Sequence, residues 1–129
     1  MAKKDIFKFR HMKSPAWASD SMNSVYFKVI WEAEGNEYDI GYIGFQENDF
    51  GRGLCRNMCY KTYEPFRGKG LTKEYVKYFV DNRILDLDCI RAKAPVDNIA
   101  SQKILEYAGF ENRGYRDDGE KIGFTWKAF

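Results

Sequence analysis

The chain is 129 residues long, 44% hydrophobic and 17% aromatic, which is ample for one core without disulfide staples and excludes global disorder. Its 21 Lys+Arg and 19 Asp+Glu leave a net charge of +2, too small to imply a nucleic-acid partner. The longest uncharged runs are seven residues (Ser21–Phe27 and Ile40–Gln46) and Met1–Asp5 opens no apolar block, so neither a transmembrane helix nor a secretory signal is expected; residues 1–129 read as one cytoplasmic domain.

Phe7–Met12 reads as a short strand, and residues 14–24, with Pro15 and small polar residues, as a loop or one helical turn. Val25–Glu34 alternates apolar and polar positions, the pattern of a half-buried strand. Gly35-Asn36 signals a hairpin turn, with Ile40–Gln46 as the returning strand. A fourth strand is expected over Leu54–Tyr63. The period then changes: Leu71, Tyr75, Val76, Phe79 and Val80 fall on one face of a helix. Cys89–Ala94 is a short strand with Ile90, Ala92 and Ala94 on one side. Asp97-Asn98 can cap a second helix, with Ala100, Ile104, Leu105 and Ala108 as its buried face and Gly109 closing it. Phe110–Tyr115 and Lys121–Phe129 are strands joined by a hairpin at residues 117–120. The order predicts an α+β domain built on a mixed sheet.

Charge and cysteines add two points. Residues 1–13 carry a local charge of +4 and residues 61–73 a local +3, so the rest of the chain is acidic. The basic N-terminal arm and the aromatic strands raise RNA binding as an option; the acidic remainder argues against a continuous basic face. Cys55, Cys59 and Cys89 have no spacing that suits a metal, and they are expected to be reduced buried thiols.

The informative segment is Tyr60-Lys-Thr-Tyr-Glu-Pro-Phe-Arg-Gly-Lys-Gly-Leu-Thr72. A strand enters a turn containing Gly68 and Gly70, and the turn opens a helix. Glycines allow a ligand close to the backbone, and the first N–H groups of the helix, its dipole, Arg67 and Lys69 all favour an anion there. Two readings stand at this point: a phosphate or pyrophosphate site, or a Gly-rich loop with a solvated basic pair. A Walker A loop is excluded because Gly70 follows Lys69, and a dinucleotide fingerprint lacks its glycines.

Arg67-Gly68-Lys69-Gly70 is followed about thirty residues later by Asn98 and Ser101, and then by Gly109-Phe110. In this order and spacing the chain resembles the GNAT superfamily of acyl-CoA-dependent N-acetyltransferases, and within it the branch that acetylates ribosomal-protein N-termini. With Ile40-Gly-Tyr-Ile-Gly-Phe45 and the closing hairpin, the resemblance spans roughly residues 40–129. It implies a twisted mixed sheet of six to seven strands with a splayed central parallel pair and flanking helices. It also implies acetyl-CoA as co-substrate, a primary amine as acceptor, no metal, and direct attack of the amine in a ternary complex.

By that resemblance, backbone groups from Tyr60, Lys61 and Thr62 pair with the pantetheine arm, with a backbone N–H near Tyr60 stabilising the oxyanion. Amides of Arg67, Gly68, Lys69, Gly70, Leu71 and Thr72 hold the pyrophosphate, while Asn98 and Ser101 face the thioester end. The superfamily often has a tyrosine acid seven residues after that Asn. Here the position is Leu105, so Ser101 is the candidate hydroxyl for the sulfur, or else simply a first-turn residue satisfying the backbone. No general base stands out. Trp17, Tyr26 and Tyr42 are candidates for an acceptor pocket or for core packing. A non-catalytic CoA-binding sensor or interaction module is the alternative. Only twelve residues separate the first two strands, where relatives usually place two helices, so the acceptor cleft is expected to be unusually open or completed by a second subunit of a homodimer.

Overall fold

The computed structural model describes residues 6–13, 15, 24–47 and 55–128. Its elements are β1 (Ile6–Met12), β2 (Val25–Ala33), β3 (Asn36–Glu47), β4 (Cys55–Thr62), a 3-10 turn (Glu64–Phe66), α1 (Leu71–Asp81), β5 (Cys89–Pro95), α2 (Ile99–Tyr107), β6 (Glu111–Arg116) and β7 (Lys121–Lys127). They form one seven-stranded sheet in the order β1-β2-β3-β4-β5-β7-β6. Every neighbouring pair is antiparallel except β4 and β5. The expected α+β fold with a central parallel pair is what the chain adopts.

The first hairpin turns one residue earlier than its sequence signal. Ala33 pairs with Asn36, so Glu34 and Gly35 are the two central residues, both at positive φ (51° and 79°). That conformation matches the twist of the flanking strands, and β3 gains four residues at its start over the expected Ile40.

The core lies between the sheet and two helices on one of its faces. All five apolar residues expected on the buried face of α1 are buried there. Phe79 is the hub: its ring meets Phe9 edge-on at 4.9 Å, Phe45 at 5.1 Å and Phe27 at 5.4 Å. Burying such a side chain is worth about 1.5–3 kcal/mol. On β5, Ile90, Ala92 and Ala94 face the helices while Arg91 and Lys93 are exposed on the other side.

α2 packs less completely than its pattern suggests. Leu105 and Ala108 are buried, Ile104 is half-buried, and Ala100 is exposed. The helix meets the core through its C-terminal half, while its first turn faces β4 across the gap between the parallel strands. It ends in a Schellman arrangement, with Phe110 N–H donating to Leu105 O (2.9 Å), Gly109 N–H donating to Glu106 O (3.0 Å) and Gly109 at φ 95°.

Two other expectations change. Cys89 is in a disulfide and Cys59 is the free thiol among the described residues, so the expectation of three reduced cysteines does not hold. The parallel register sets Cys89 beside Cys55 along the backbone, a juxtaposition that linear spacing does not reveal. Two cations of the basic N-terminal arm are ion-paired. Lys8 pairs with Glu32 (3.0 Å) and Glu37 (2.9 Å), and Arg10 pairs with Glu37 (3.1 Å). Residues 14 and 16–23, including Trp17, and residues 48–54 lie outside the described residues.

Candidate functional site

The parallel strands β4 and β5 pair at only three positions: Cys55 with Cys89, Arg56 with Ile90 and Asn57 with Arg91. Beyond Asn57 they separate, while β4 stays paired to β3 as far as Thr62 and β5 stays paired to β7 as far as Pro95. The result is a wedge whose two walls are strand edges. Tyr63 N–H donates to Ile40 O on the β3 side (2.8 Å). Strand alternation therefore turns the N–H groups of Cys59 and Lys61 toward β3 and those of Met58, Tyr60 and Thr62 into the wedge. An unpaired strand edge facing an opening can bind an extended ligand as an added strand.

Polar side chains gather along the helix side of this wedge. Thr62 is the one buried polar residue among the described residues. Its hydroxyl lies 2.5 Å from that of Thr72 and 3.0 Å from the phenol of Tyr75, fastening the end of β4 to the first two turns of α1. Tyr75 is fully enclosed, and burial pushes its phenol far above the usual tyrosine range. Tyr60, two residues before Thr62 on the same face, is also raised by burial, an effect that the neighbouring Ser101 side chain partly offsets. Ser101 thus reaches β4 from α2 across the wedge.

The turn after β4 is built in two steps. Pro65 sits in the 3-10 turn, where Phe66 N–H donates to Tyr63 O (2.9 Å) and Arg67 N–H donates to Glu64 O (3.1 Å). The Arg67 side chain folds back and donates from Nε to Thr62 O (2.8 Å). The Arg67 amide is therefore already in use, which removes it from the expected set of free donors, and the Thr62 carbonyl is capped. Gly68 (φ 79°) and Gly70 (φ 75°) then take left-handed conformations that only glycine adopts cheaply. A Cβ at Gly68 would meet nothing within 4 Å, so the need for glycine there is conformational and not steric. Gly70 is the N-cap of α1 and has no side-chain cap, so the N–H groups of the first turn remain available to an anion. Lys69 and the outer nitrogens of Arg67 flank that cradle.

Asn98 is the N-cap of α2, its Oδ1 accepting from Ser101 N–H (3.1 Å). Its side chain thus serves the helix start. Gln102, not singled out in the sequence, donates to Pro95 O and Val96 O (3.0 Å each) and fixes the junction of β5 with α2. Leu105 is buried in the core. Tyr107 lies outside the wedge, its phenol donating to Glu74 Oε1 (3.0 Å) under Lys73, 4.9 Å from its ring. Lys61 is exposed, and strand alternation sets it on the opposite face of the sheet from Tyr60 and Thr62.

Of the aromatic candidates, Tyr26 is 1% exposed and accepts from Gln46 Nε2 (2.9 Å), with Tyr42 beside it at 6.2 Å between rings. These two pack the sheet face away from the helices. Neither Glu32, which is tied to Lys8, nor Glu64, which is exposed on the 3-10 turn, stands as a general base. Among the described residues no group of His, Cys, Asp and Glu could hold a metal ion, and no helix is long and apolar enough to cross a membrane.

A twisted mixed sheet, helices on one face, and a splayed parallel pair leading to a Gly-rich helix start define the acyl-CoA-transferring class of fold. A family profile for the acetyltransferase (GNAT) domain matches residues 2–111, and the chain belongs to that family. No curated protein matches it significantly in sequence. Solved structures resemble it in fold. One is the ribosomal-protein-S5-alanine acetyltransferase of Vibrio fischeri (21% identity over 81% of this chain and 61% of that one, TM-score 0.65). Another is a domain from Methanocaldococcus jannaschii (13% identity, 96% and 99%, TM-score 0.71). A third is the spermidine N-acetyltransferase of Vibrio cholerae, solved with CoA and spermine (18% identity, 81% and 65%, TM-score 0.64). The chain spans about three fifths of the length of the first of these and nearly all of the second.

Proposed function

We propose that this chain is a cytoplasmic N-acetyltransferase, one domain over residues 1–129, that passes the acetyl group of acetyl-CoA directly to a primary amine of a protein N-terminus or a small molecule. One observation carries the reading. The unpaired edge of β4, the Tyr60–Ser101 hydroxyl pair and the Gly68–Gly70 cradle stand in one line along a single opening. The relatives named above include enzymes of this activity, one of them solved with CoA.

The residues fit the co-substrate by their donor sets. The amides of Gly68, Lys69, Gly70, Leu71 and Thr72, with Lys69 and Arg67, suit a pyrophosphate; the edge of β4 over Tyr60, Lys61 and Thr62 suits an extended amide-bearing arm, with Tyr60 and Thr62 turned toward it. Bound there, acetyl-CoA supplies an activated acyl group as a thioester. The Tyr60 N–H, aimed into the wedge, stabilises negative charge developing on a carbonyl oxygen, a contribution worth roughly 3–4 kcal/mol where such donors have been removed. The Ser101 hydroxyl, beside the Tyr60 phenol, orders the sulfur. Asn98 positions Ser101 by starting its helix. The net change forms a C–N bond and breaks a C–S bond, and the amine's lost proton ends on the thiol, whose pKa near ~8.5 makes it an adequate leaving group. Positioning of both partners carries most of the rate.

CoA is expected to raise the melting temperature of the wild-type chain. Gly68→Glu, which sets a carboxylate and a strained φ into the cradle, abolishes that shift. A wild-type chain indifferent to CoA refutes the reading. Release of free CoA thiol in the presence of amines then separates an enzyme from a CoA-binding module, which releases none above background.

A further inference from the structure

The sheet face away from the helices exposes Arg91, Lys93, Arg116 and Lys127 over β5, β7 and β6, and it is strongly basic. A groove of about 760 Å³ runs across it, bordered by Arg91, Lys93, Arg113, Arg116 and Lys127, with no carboxylate among the described residues of its lining. Topology assembles these charges. Arg91 and Lys93 are two apart on β5 and so share a face. β7 lies between β5 and β6 and brings Lys127 and the two arginines of the β6 strand alongside. Lys93 leans on Asp117 (3.2 Å) and Arg113 on Glu111 (3.5 Å). Among the described residues Arg91, Arg116 and Lys127 have no ion pair, and these three cations exceed the net charge of the whole protein.

Arg116 is held in place. Its stem lies over Gly123, where a Cβ would come within 3.1 Å of Arg116 Cγ, and its Nη1 donates to the carbonyls of Arg113 (3.1 Å) and Tyr115 (2.9 Å). Nε and Nη2 remain for a ligand. A guanidinium fixed in this way loses less entropy on binding than a free one.

The groove also has an address. Its wall includes Asn57 and Met58 on β4 and Arg91 and Ala92 on β5, the last paired and first separated residues of the parallel strands. It therefore reaches the apex of the wedge from the face opposite α1 and α2. From the glycine cradle, the proposed path of acetyl-CoA runs down β4 past Tyr60 toward that same apex. A second substrate entering by the groove would meet it there.

We infer that the groove is the acceptor site and that the acceptor is an anionic amine: a primary amine carrying carboxylate or phosphate groups within a few bonds or residues of the nitrogen, no larger than a short peptide in the part that binds. This rests on the acetyltransferase reading for the chemistry but not for the binding. A volume of this size is that of a small-ligand site. Uncompensated cations around it raise the local concentration of anions and repel polycations, so an acceptor such as a polyamine is disfavoured.

The test is equilibrium binding to the wild-type chain of three C-terminally labelled tripeptides with free N-termini: an acidic one (two Asp), its amide counterpart (two Asn) and a basic one (two Lys). The acidic peptide is expected to bind at least tenfold more tightly than the amide one, with the preference shrinking several-fold between 50 and 300 mM salt. Arg91→Glu and, separately, Arg116→Gln each reduce the preference to threefold or less. Both positions are exposed, and an unchanged melting temperature shows that each variant is folded. Phosphoethanolamine and β-alanine as competitors tell whether phosphate or carboxylate is the better anion; displacement by either supports the inference. Equal binding of the three peptides, a preference for the basic one, or an acidic preference untouched by both variants overturns it. The failure of the catalytic reading looks different: a chain that binds the acidic peptide through Arg91 but never binds CoA has the groove without the enzyme, whereas one that shifts with CoA and acetylates neutral amines while ignoring the acidic peptide has the enzyme without an anionic acceptor.

Discussion

Thr62 joins the two halves of the candidate site, and its removal gives a graded test of how the site is held. Its hydroxyl is the shared partner of Thr72 and Tyr75. Thr62→Val keeps the shape and deletes the hydroxyl. The buried Tyr75 phenol then loses its partner while the half-exposed Thr72 can turn to water, and the cost is about 1–2 kcal/mol. For a chain of this length each kcal/mol is roughly 3–5 °C, so the melting temperature falls by about 3–10 °C. Tyr75→Phe should cost a similar amount by the same argument. The double variant removes two of the three members and leaves Thr72, which is half-exposed and turns to water, so its cost is smaller than the sum of the two by about 1 kcal/mol. Urea unfolding of the wild type, both single variants and the double variant measures this coupling. If the three costs add to within about 0.3 kcal/mol, the hydroxyls are not acting as one cluster and the account of how β4 is fastened to α1 is wrong.

Three further outcomes follow from the geometry. Gly41→Ala would drive a Cβ to within 2.0 Å of the Lys61 carbonyl oxygen on the neighbouring strand, so β3 and β4 must separate locally; a loss of about 3 kcal/mol in urea unfolding is expected, and a loss under 1 kcal/mol contradicts the register. Ser101→Ala should lower kcat about tenfold or more while leaving the CoA-induced melting shift intact, and an unchanged kcat removes Ser101 from the chemistry. Burial raises the phenols of Tyr60 and Tyr75, so the folded state resists their ionisation; their contribution to stability is complete below the unfolded value near pH ~10 and is lost as the pH climbs toward the folded values. The melting temperature should be level from pH 8 to about 9.5 and fall above it, less steeply in Tyr75→Phe; an equal slope in both chains refutes that assignment.

Much of the fold is legible because its signals are local. The face of α1 and the glycine that ends α2 are each set by contacts within a few residues, and each appears where the pattern puts it; β2 departs from its expected half-buried alternation, because Tyr26 and Ile30 are buried on the other face as well. The glycine cradle is legible for the same reason, since a strand end, two glycines and a helix start lie consecutively in the chain. What escapes is what the sheet assembles. The Thr62–Thr72–Tyr75 cluster has a usable signal, with two of its members at i and i+3 on the first turns of a helix that follows the strand ending in the third. Ala100 escapes for the opposite reason: helical spacing says that it shares a face with Ile104, but not that the sheet has opened beneath the first turn. The disulfide of Cys89 and the basic groove depend on which strands lie side by side, and no periodicity encodes that.

The same reasoning explains why the acceptor half of the site is the harder half to read. Twelve residues between β1 and β2 could form at most about 18 Å of continuous helix, and two antiparallel helices with a turn would leave each shorter than two turns, below what is stable alone. The expectation of an open acceptor cleft rests on that length, and other parts of the chain can supply the wall. The cations of β5, β6 and β7 are the residues that the topology offers in its place, because the insertion of β7 between β5 and β6 gathers them at the apex where β4 and β5 part. They are separated by up to 36 positions in the chain, from Arg91 to Lys127, so no local motif in the sequence groups them. On the inference that the groove takes the acceptor, specificity is carried by the sheet itself, a surface that can change its charge without disturbing the core residues that face the helices.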